Sequence, residues 1–179
     1  ILTLNTDWLG EGWRNVREKF RPQYPGSCGR RIESLPSMRS SMAESIEPGN
    51  HAPKFKLPNA NEGSGGSHVS LSEVLGDSGG VVMFTCNHCP YVVGSEGRIE
   101  EIAEKARNNG LGFVGINSND PVKYEADSWD NMVKRSQRGM TYPYLHDEDQ
   151  TVATSYGAER TPEFYLVSSS GVVVYRGRM

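Results

Sequence analysis

The sequence predicts an α/β domain, a mixed β-sheet flanked by helices. Three observations carry that prediction. Val81–Thr85 and Leu111–Ile116 are apolar runs, as expected of strands buried on both faces of a parallel sheet. Between them Ile99, Ile102, Ala103 and Ala106 recur at helical spacing, with Glu100, Glu101, Glu104, Lys105 and Arg107 on the other side. Strand, amphipathic helix and strand make a βαβ unit. Farther along, Phe164–Val167 and Val172–Tyr175 flank Ser168-Ser-Ser-Gly171, which reads as a hairpin with glycine in its turn.

The elements follow in order. Residues 1–41 hold seven basic and four acidic residues, against 12 and 18 in residues 42–179. They show no sustained apolar periodicity and no apolar core of a secretory signal. They are expected to be a disordered or non-native leader, with the domain starting at Met42. Cys28, between Gly26 and Gly29, reads as an incidental thiol. Pro48-Gly49 opens a turn, and His51–Pro58 alternates like an edge strand, where prolines belong. Residues 61–68 are a polar loop, and Val69–Leu75 is a strand running into a helical turn. After the strand at Val81–Thr85, Pro90–Asn109 reads as a helix. Pro90 suits its first turn and Gly110 its stop, while Gly94 and Gly97 weaken its first half. Tyr124–Gln137 is a second helix, Tyr142–Leu145 a short strand and Glu148–Tyr156 a short helix, before the hairpin.

Composition sets outer bounds. At 179 residues, 36% hydrophobic and 23% charged, the chain suits one domain of ordinary size. No apolar run approaches the roughly 20 residues of a membrane helix. The acidic body carries no basic stripe, which argues against nucleic acid as a partner. The three cysteines do not form a disulfide framework.

The chemistry concentrates in Cys86-Asn87-His88-Cys89-Pro90, where a buried strand hands over to a helix. The unpaired N–H groups of a first helical turn favour a thiolate, and a C-x-x-C motif there lowers the thiol pKa. This reading makes Cys86 the nucleophile. Cys89, one turn on, resolves the mixed disulfide, and His88 stabilises the Cys86 thiolate. Structural zinc would need a second ligand pair, whereas His51, His68 and His146 are widely separated. Haem attachment needs His after the second Cys, where Pro90 stands. A second site, Arg160-Thr161-Pro162-Glu163, precedes an apolar strand. Taken alone, the Thr161–Pro162 bond is expected to be trans.

Residues 42–179 resemble the thioredoxin-like superfamily, in the branch shared by alkyl hydroperoxide reductases and thiol-specific antioxidant proteins (AhpC/TSA). The resemblance rests on Pro48–Pro58 with Val69-Ser70-Leu71, on Val82–Tyr91 around the two cysteines, and on Thr161-Pro162. It implies a thioredoxin-like sheet and a cis Thr161–Pro162 bond facing the cysteines, with Thr161 and Pro162 shaping a substrate groove. This chain departs from thioredoxin at Thr85, where thioredoxin has Trp, and at Gly80, where it has a buried acid. Proton transfer must then use water, His88 or Glu163. The Pro-x-x-x-Thr-x-x-Cys signature of peroxiredoxins is absent, since Val82 and Cys86 occupy the Pro and Thr positions. The helix that usually ends such a sheet is also missing, so the domain is expected to be C-terminally truncated.

The expected function is thiol–disulfide oxidoreductase, with a redox-active Cys86–Cys89 disulfide, no metal and no other cofactor. Its partners would be protein or small-molecule disulfides and thiols, with a thiol reductant, and its place the cytoplasm. One alternative is a thiol peroxidase, a peroxiredoxin-like antioxidant with Arg160 near the thiolate. Another is a copper carrier using the cysteine pair and His146.

Overall fold

A computed structural model describes residues 46–178. The expected leader, Cys28 and the start at Met42 lie outside the described residues.

The main sheet has five strands. β3 (Gly79–Thr85) lies at its centre, parallel to β4 (Leu111–Asn117) and antiparallel to β6 (Glu163–Val167). β5 (Tyr144–His146) adds in parallel outside β4, and β7 (Val173–Arg178) adds antiparallel outside β6. The spatial order is therefore β5-β4-β3-β6-β7, the mixed, thioredoxin-like sheet that the sequence predicts. A separate two-stranded ribbon pairs β1 (Lys56–Pro58) with β2 (His68–Ser70), and β2 runs into α1 (Leu71–Val74). No described helix is long and apolar enough to cross a membrane.

Strand alternation sorts the core into two layers. Val82, Phe84, Val114, Ile116, Tyr165 and Val167 face one way, against Phe55, Leu71, Val152 and Tyr156. Met83 and Phe113 face the other way, against Ile99, Ala103 and Ala106 of α3 (Glu96–Asn108). Helical spacing thus placed the correct face of α3 inward. Gly110 follows its end with φ +71°, a conformation glycine adopts without penalty.

The structure shortens several expected elements. The helix expected over Pro90–Asn109 is broken into α2 (Pro90–Val93) and α3. At the break the Ser95 N–H bonds Val92 O at 3.0 Å, and Arg98 Nη2 donates to Ser95 Oγ at 2.9 Å. The helix expected over Tyr124–Gln137 is helical only as α4 (Trp129–Ser136). Before it, Glu125–Asp127 form a single 3-10 turn, and Ser128 is extended. Asp127 is buried there, in hydrogen bonds away from α4. The helix expected from Glu148 begins at Thr151 and runs to Tyr156 as α5. Of the edge strand expected over His51–Pro58, Lys56–Pro58 form β1, while His51 makes an isolated bridge to Val172.

This arrangement prepares the site. β3 delivers the Cys86–Cys89 segment at its carboxyl end. Because β6 runs antiparallel to β3, with Glu163 opposite Phe84, the residues just before β6 meet that segment.

Candidate active site

Cys86 and Cys89 are both free thiols, and both contact one residue. Cys86 Sγ shares a hydrogen bond of 3.1 Å with Thr161 Oγ1, and the Cys89 thiol donates to Thr161 O at 3.4 Å. The Thr161–Pro162 bond is cis, as the resemblance implied and against the reading of the dipeptide alone. A cleft of about 410 Å³ opens here, lined by His88, Cys89, Asn119, Tyr124, Arg160 and Thr161 among others.

The two sulfurs occupy different environments. Cys86 is 1% exposed and packs with Met83, Val92 and Ile99. Burial pushes its thiol pKa up. Thr161 opposes that rise, while the charge of Asp127 adds to it. Cys89 is half-buried and borders the cleft. Burial raises its thiol as well, but hydrogen bonds from the Val92 and Tyr91 backbone and from Thr161 outweigh it and hold the thiol below its usual value. The sequence reading expected the low-pKa thiol at Cys86.

His88 is ordered by two contacts. Its Nδ1 bonds Asp127 Oδ2 at 2.5 Å, and its ring stacks on Tyr124 with centroids 4.4 Å apart and planes 11° from parallel. Asp127, fully buried, anchors a polar cluster. Its carboxylate also accepts from the Asn87 N–H at 2.5 Å, from Asn117 Nδ2 at 3.0 Å and from Asn119 Nδ2 at 3.0 Å. Burial pushes the Asp127 carboxyl up, but these donors together hold it below the usual carboxylate range. Behind the motif, Arg135 donates to Cys86 O at 2.5 Å and to Asn87 Oδ1 at 3.1 Å, and Tyr144 OH donates to the same Asn87 oxygen at 2.8 Å. Arg135 also pairs with Glu96 at 3.0 Å. The motif is therefore held from three elements, its backbone by Asp127 and Arg135 and the Asn87 side chain by Arg135 and Tyr144.

Two candidate relay residues separate here. Arg160 is exposed and lines the cleft with Cys89 and Thr161. Glu163 is fully buried, shares the alternation of Tyr165 and Val167 on the other sheet face, and is engaged by Arg176 Nε at 2.8 Å and the Glu159 N–H at 3.0 Å. The structure does not bring its carboxylate to the thiols.

Among the described residues, Cys86, His88 and Asp127 form a metal-capable group, with ligand atoms within 4.8 Å of one another. The Asp127 oxygens are already committed to four donors, and the group includes neither Cys89 nor His146. The cysteine-pair-plus-His146 set of the copper reading is not assembled. His146 is buried on β5, near Trp129.

A sequence profile of the AhpC/TSA family matches residues 48–176. The chain belongs to the AhpC/TSA family. Two Mycobacterium tuberculosis proteins, named provisionally as peroxiredoxins, are 28% identical over 128 residues, covering 72% of this chain and 74% of theirs. An uncharacterised conserved protein of Geobacillus kaustophilus is 40% identical in its crystal structure, covers 75% of this chain and 70% of its own, and superposes with a TM-score of 0.70. A Chlorobium tepidum protein, provisionally named a thiol:disulfide interchange protein, shares the fold at 22% identity, with a TM-score of 0.61 and coverage of 75% and 86%.

In this AhpC/TSA chain, the residues that sequence reasoning missed are Asp127, Asn117, Asn119 and Arg135. One signal pointed toward Asn117 and Asn119. With Gly80 in place of a buried acid, a charge near the thiols had to come from another element. The polar run Asn117-Ser-Asn-Asp120 ends a buried strand of the same sheet.

Proposed function

We propose that this protein is a thiol–disulfide oxidoreductase whose Cys86–Cys89 pair cycles between dithiol and disulfide, with no further cofactor. The observation that carries the reading is the convergence of two free thiols, three positions apart, on Thr161 beside an open cleft. A dithiol in this arrangement transfers two electrons. One sulfur forms a mixed disulfide with the substrate, the other displaces it, and the substrate leaves as two thiols. The substrates are disulfides of proteins or small molecules, and a thiol reductant restores the pair. Thr161 flanks both sulfurs and suits a role in receiving the substrate chain.

Insulin reduction by dithiothreitol is the test. The protein should accelerate it, and Cys86→Ser and Cys89→Ser should each abolish the acceleration. No acceleration, together with a pair that stays reduced in a glutathione disulfide buffer, would overturn the reading.

A second reading, thiol peroxidase, is favoured by Cys89 bordering the cleft beside Arg160 and by the names of the mycobacterial relatives. Peroxide would oxidise one thiol to a sulfenic acid, which the other would condense to a disulfide with loss of water. Peroxide consumption coupled to a trapped sulfenic acid distinguishes it.

A further inference from the structure

The Cys86–Cys89 pair is asymmetric in a direction opposite to the usual expectation for a C-x-x-C strand-to-helix junction, and the asymmetry assigns the two roles. We infer that Cys89 is the thiol that attacks the incoming disulfide and that Cys86 is the resolving thiol. This assignment rests on the oxidoreductase reading above.

The geometry leads the argument. An attacking sulfur must approach the substrate disulfide along its S–S axis, so it needs open space in front of it. Cys89 borders the cleft, whereas Cys86 is 1% exposed and enclosed by Met83, Val92 and Ile99. A resolving sulfur needs no access to solvent, only to its partner. Cys86 and Cys89 both touch Thr161, one at the hydroxyl and one at the carbonyl, so Cys86 lies close to its partner while only Cys89 lines the cleft. The acid–base directions agree. The Cys89 thiol is held below its usual value and the Cys86 thiol above it, and the thiolate is the attacking species.

The cycle balances as follows. The Cys89 thiolate attacks one substrate sulfur, a Cys89–substrate disulfide forms, and the substrate S–S bond breaks. The first substrate sulfur leaves as a thiolate and takes a proton from water. Cys86 then gives its proton to the His88 ring nitrogen that does not face Asp127, His88 belonging with Asp127 to a group whose ligand atoms lie within 4.8 Å of Cys86 Sγ, and its sulfur attacks Cys89 Sγ. The Cys86–Cys89 disulfide forms, and the second substrate sulfur leaves with a proton. Two electrons pass from the dithiol to the substrate. The buried acid that thioredoxin carries on the strand before its motif has no counterpart at Gly80. Asp127, arriving from the loop before α4, stands beside the resolving thiol instead.

The test uses the full chain carrying Cys28→Ser, so that only the pair reacts. The reduced protein is given a sub-stoichiometric pulse of iodoacetamide at neutral pH, and the labelled site is mapped by mass spectrometry. Cys89 should carry the label at least about tenfold more often than Cys86, because it borders the cleft and is the more acidic thiol, and the thiolate is the reactive form. Next, 5,5′-dithiobis(2-nitrobenzoate) is added to the single variants. Cys86→Ser should retain a stable mixed disulfide on Cys89, and Cys89→Ser should form its adduct at least about tenfold more slowly. The labelling arm uses no change at the buried Cys86, so an unfolded Cys86→Ser variant does not decide the result. Preferential labelling of Cys86, or a fast adduct in Cys89→Ser, would overturn the assignment while leaving the oxidoreductase reading intact. Failure of the unsubstituted pair to oxidise in glutathione disulfide would overturn both, and the insulin assay registers that failure separately.

Discussion

Among the described residues, Glu163 and Asp127 are two fully buried carboxylates that are held in opposite ways. Glu163 lies on the sheet face that carries Tyr165 and Val167, and a guanidinium neutralises it directly: Arg176 Nε lies 2.8 Å away, with Arg178 Nε at 3.6 Å. Asp127 lies beside the thiols and, among the described residues, pairs with no Lys or Arg side chain. Three amide donors and one imidazole satisfy it. A buried charge paired with an opposite charge has little field left to act on its surroundings. A buried charge satisfied by neutral dipoles keeps its charge, which is why Asp127 raises the Cys86 thiol. Glu163 is tied into an ion pair on the far sheet face, and Asp127 stands beside the thiols.

The largest effect should come from breaking the ion pair. Arg176→Met removes the main cation from a carboxylate with no solvent exposure. Removing one partner of a buried pair costs about 3–5 kcal/mol, and the nearby Arg178 puts the loss toward the low end. Urea unfolding should show that loss, while the reduction potential of the Cys86–Cys89 pair stays unchanged. A shifted potential at unchanged stability would place Glu163 in the redox machinery after all.

Asp127→Asn should cost less in stability and more in chemistry. One charge-assisted hydrogen bond is worth about 1.5–3 kcal/mol, and an amide replaces only part of the carboxylate's acceptor capacity. The cost should vary with pH. The folded carboxyl lies below its unfolded value, so its contribution is complete above an unfolded pKa of about 3.9 and is lost as pH falls through the folded value. The stability gap between the two proteins should therefore narrow on acidification, and a gap that widens would contradict the depressed carboxyl. The variant should also lower the Cys86 thiol pKa by removing a neighbouring negative charge. Burial, the larger influence on Cys86, remains, so the thiol should stay above its usual value.

The difference between the carboxylates also explains what the sequence could show. β3, β4, α3 and the C-terminal hairpin were legible because each buries an apolar pattern of fixed period, and their order dictates a βαβ unit followed by an antiparallel pair. Cys86, His88 and Cys89 were legible because their spacing is local. Asp127 was not, because its partners lie on two other segments: Asn87 and His88 in the motif, and Asn117 and Asn119 at the end of β4 and just beyond it. Within its own segment it looks like an acid in the first turn of a helix. Glu163 misled for the same reason. It adjoins Thr161-Pro162 in sequence, but strand alternation turns its side chain to the far face. The relative burial of Cys86 and Cys89 was equally out of reach, because it depends on how Thr161 and α3 close over the end of β3.

The smallest effect sharpens the comparison most. If Asp127 acts on Cys86 by its charge, then His88, which donates Nδ1–H to that carboxylate, tunes the thiol mainly through Asp127. His88→Ala leaves the carboxylate with one donor fewer, so its charge is less compensated and the Cys86 thiol should rise further. The change should be small, because burial remains the larger influence on that thiol. The ring also stacks on Tyr124, so stability should fall slightly in both the presence and the absence of the carboxylate. A double-mutant cycle separates the two contributions. Ultraviolet thiolate titration of Cys86, in a background of Cys28→Ser and Cys89→Ser, is followed for His88→Ala, Asp127→Asn and the pair of changes together. The shift caused by His88→Ala should vanish once Asp127 is Asn, although the stacking loss persists. A shift of the same size in both backgrounds would mean that the imidazole acts on the sulfur directly, and Asp127 would then be a holder of His88 rather than the source of the field.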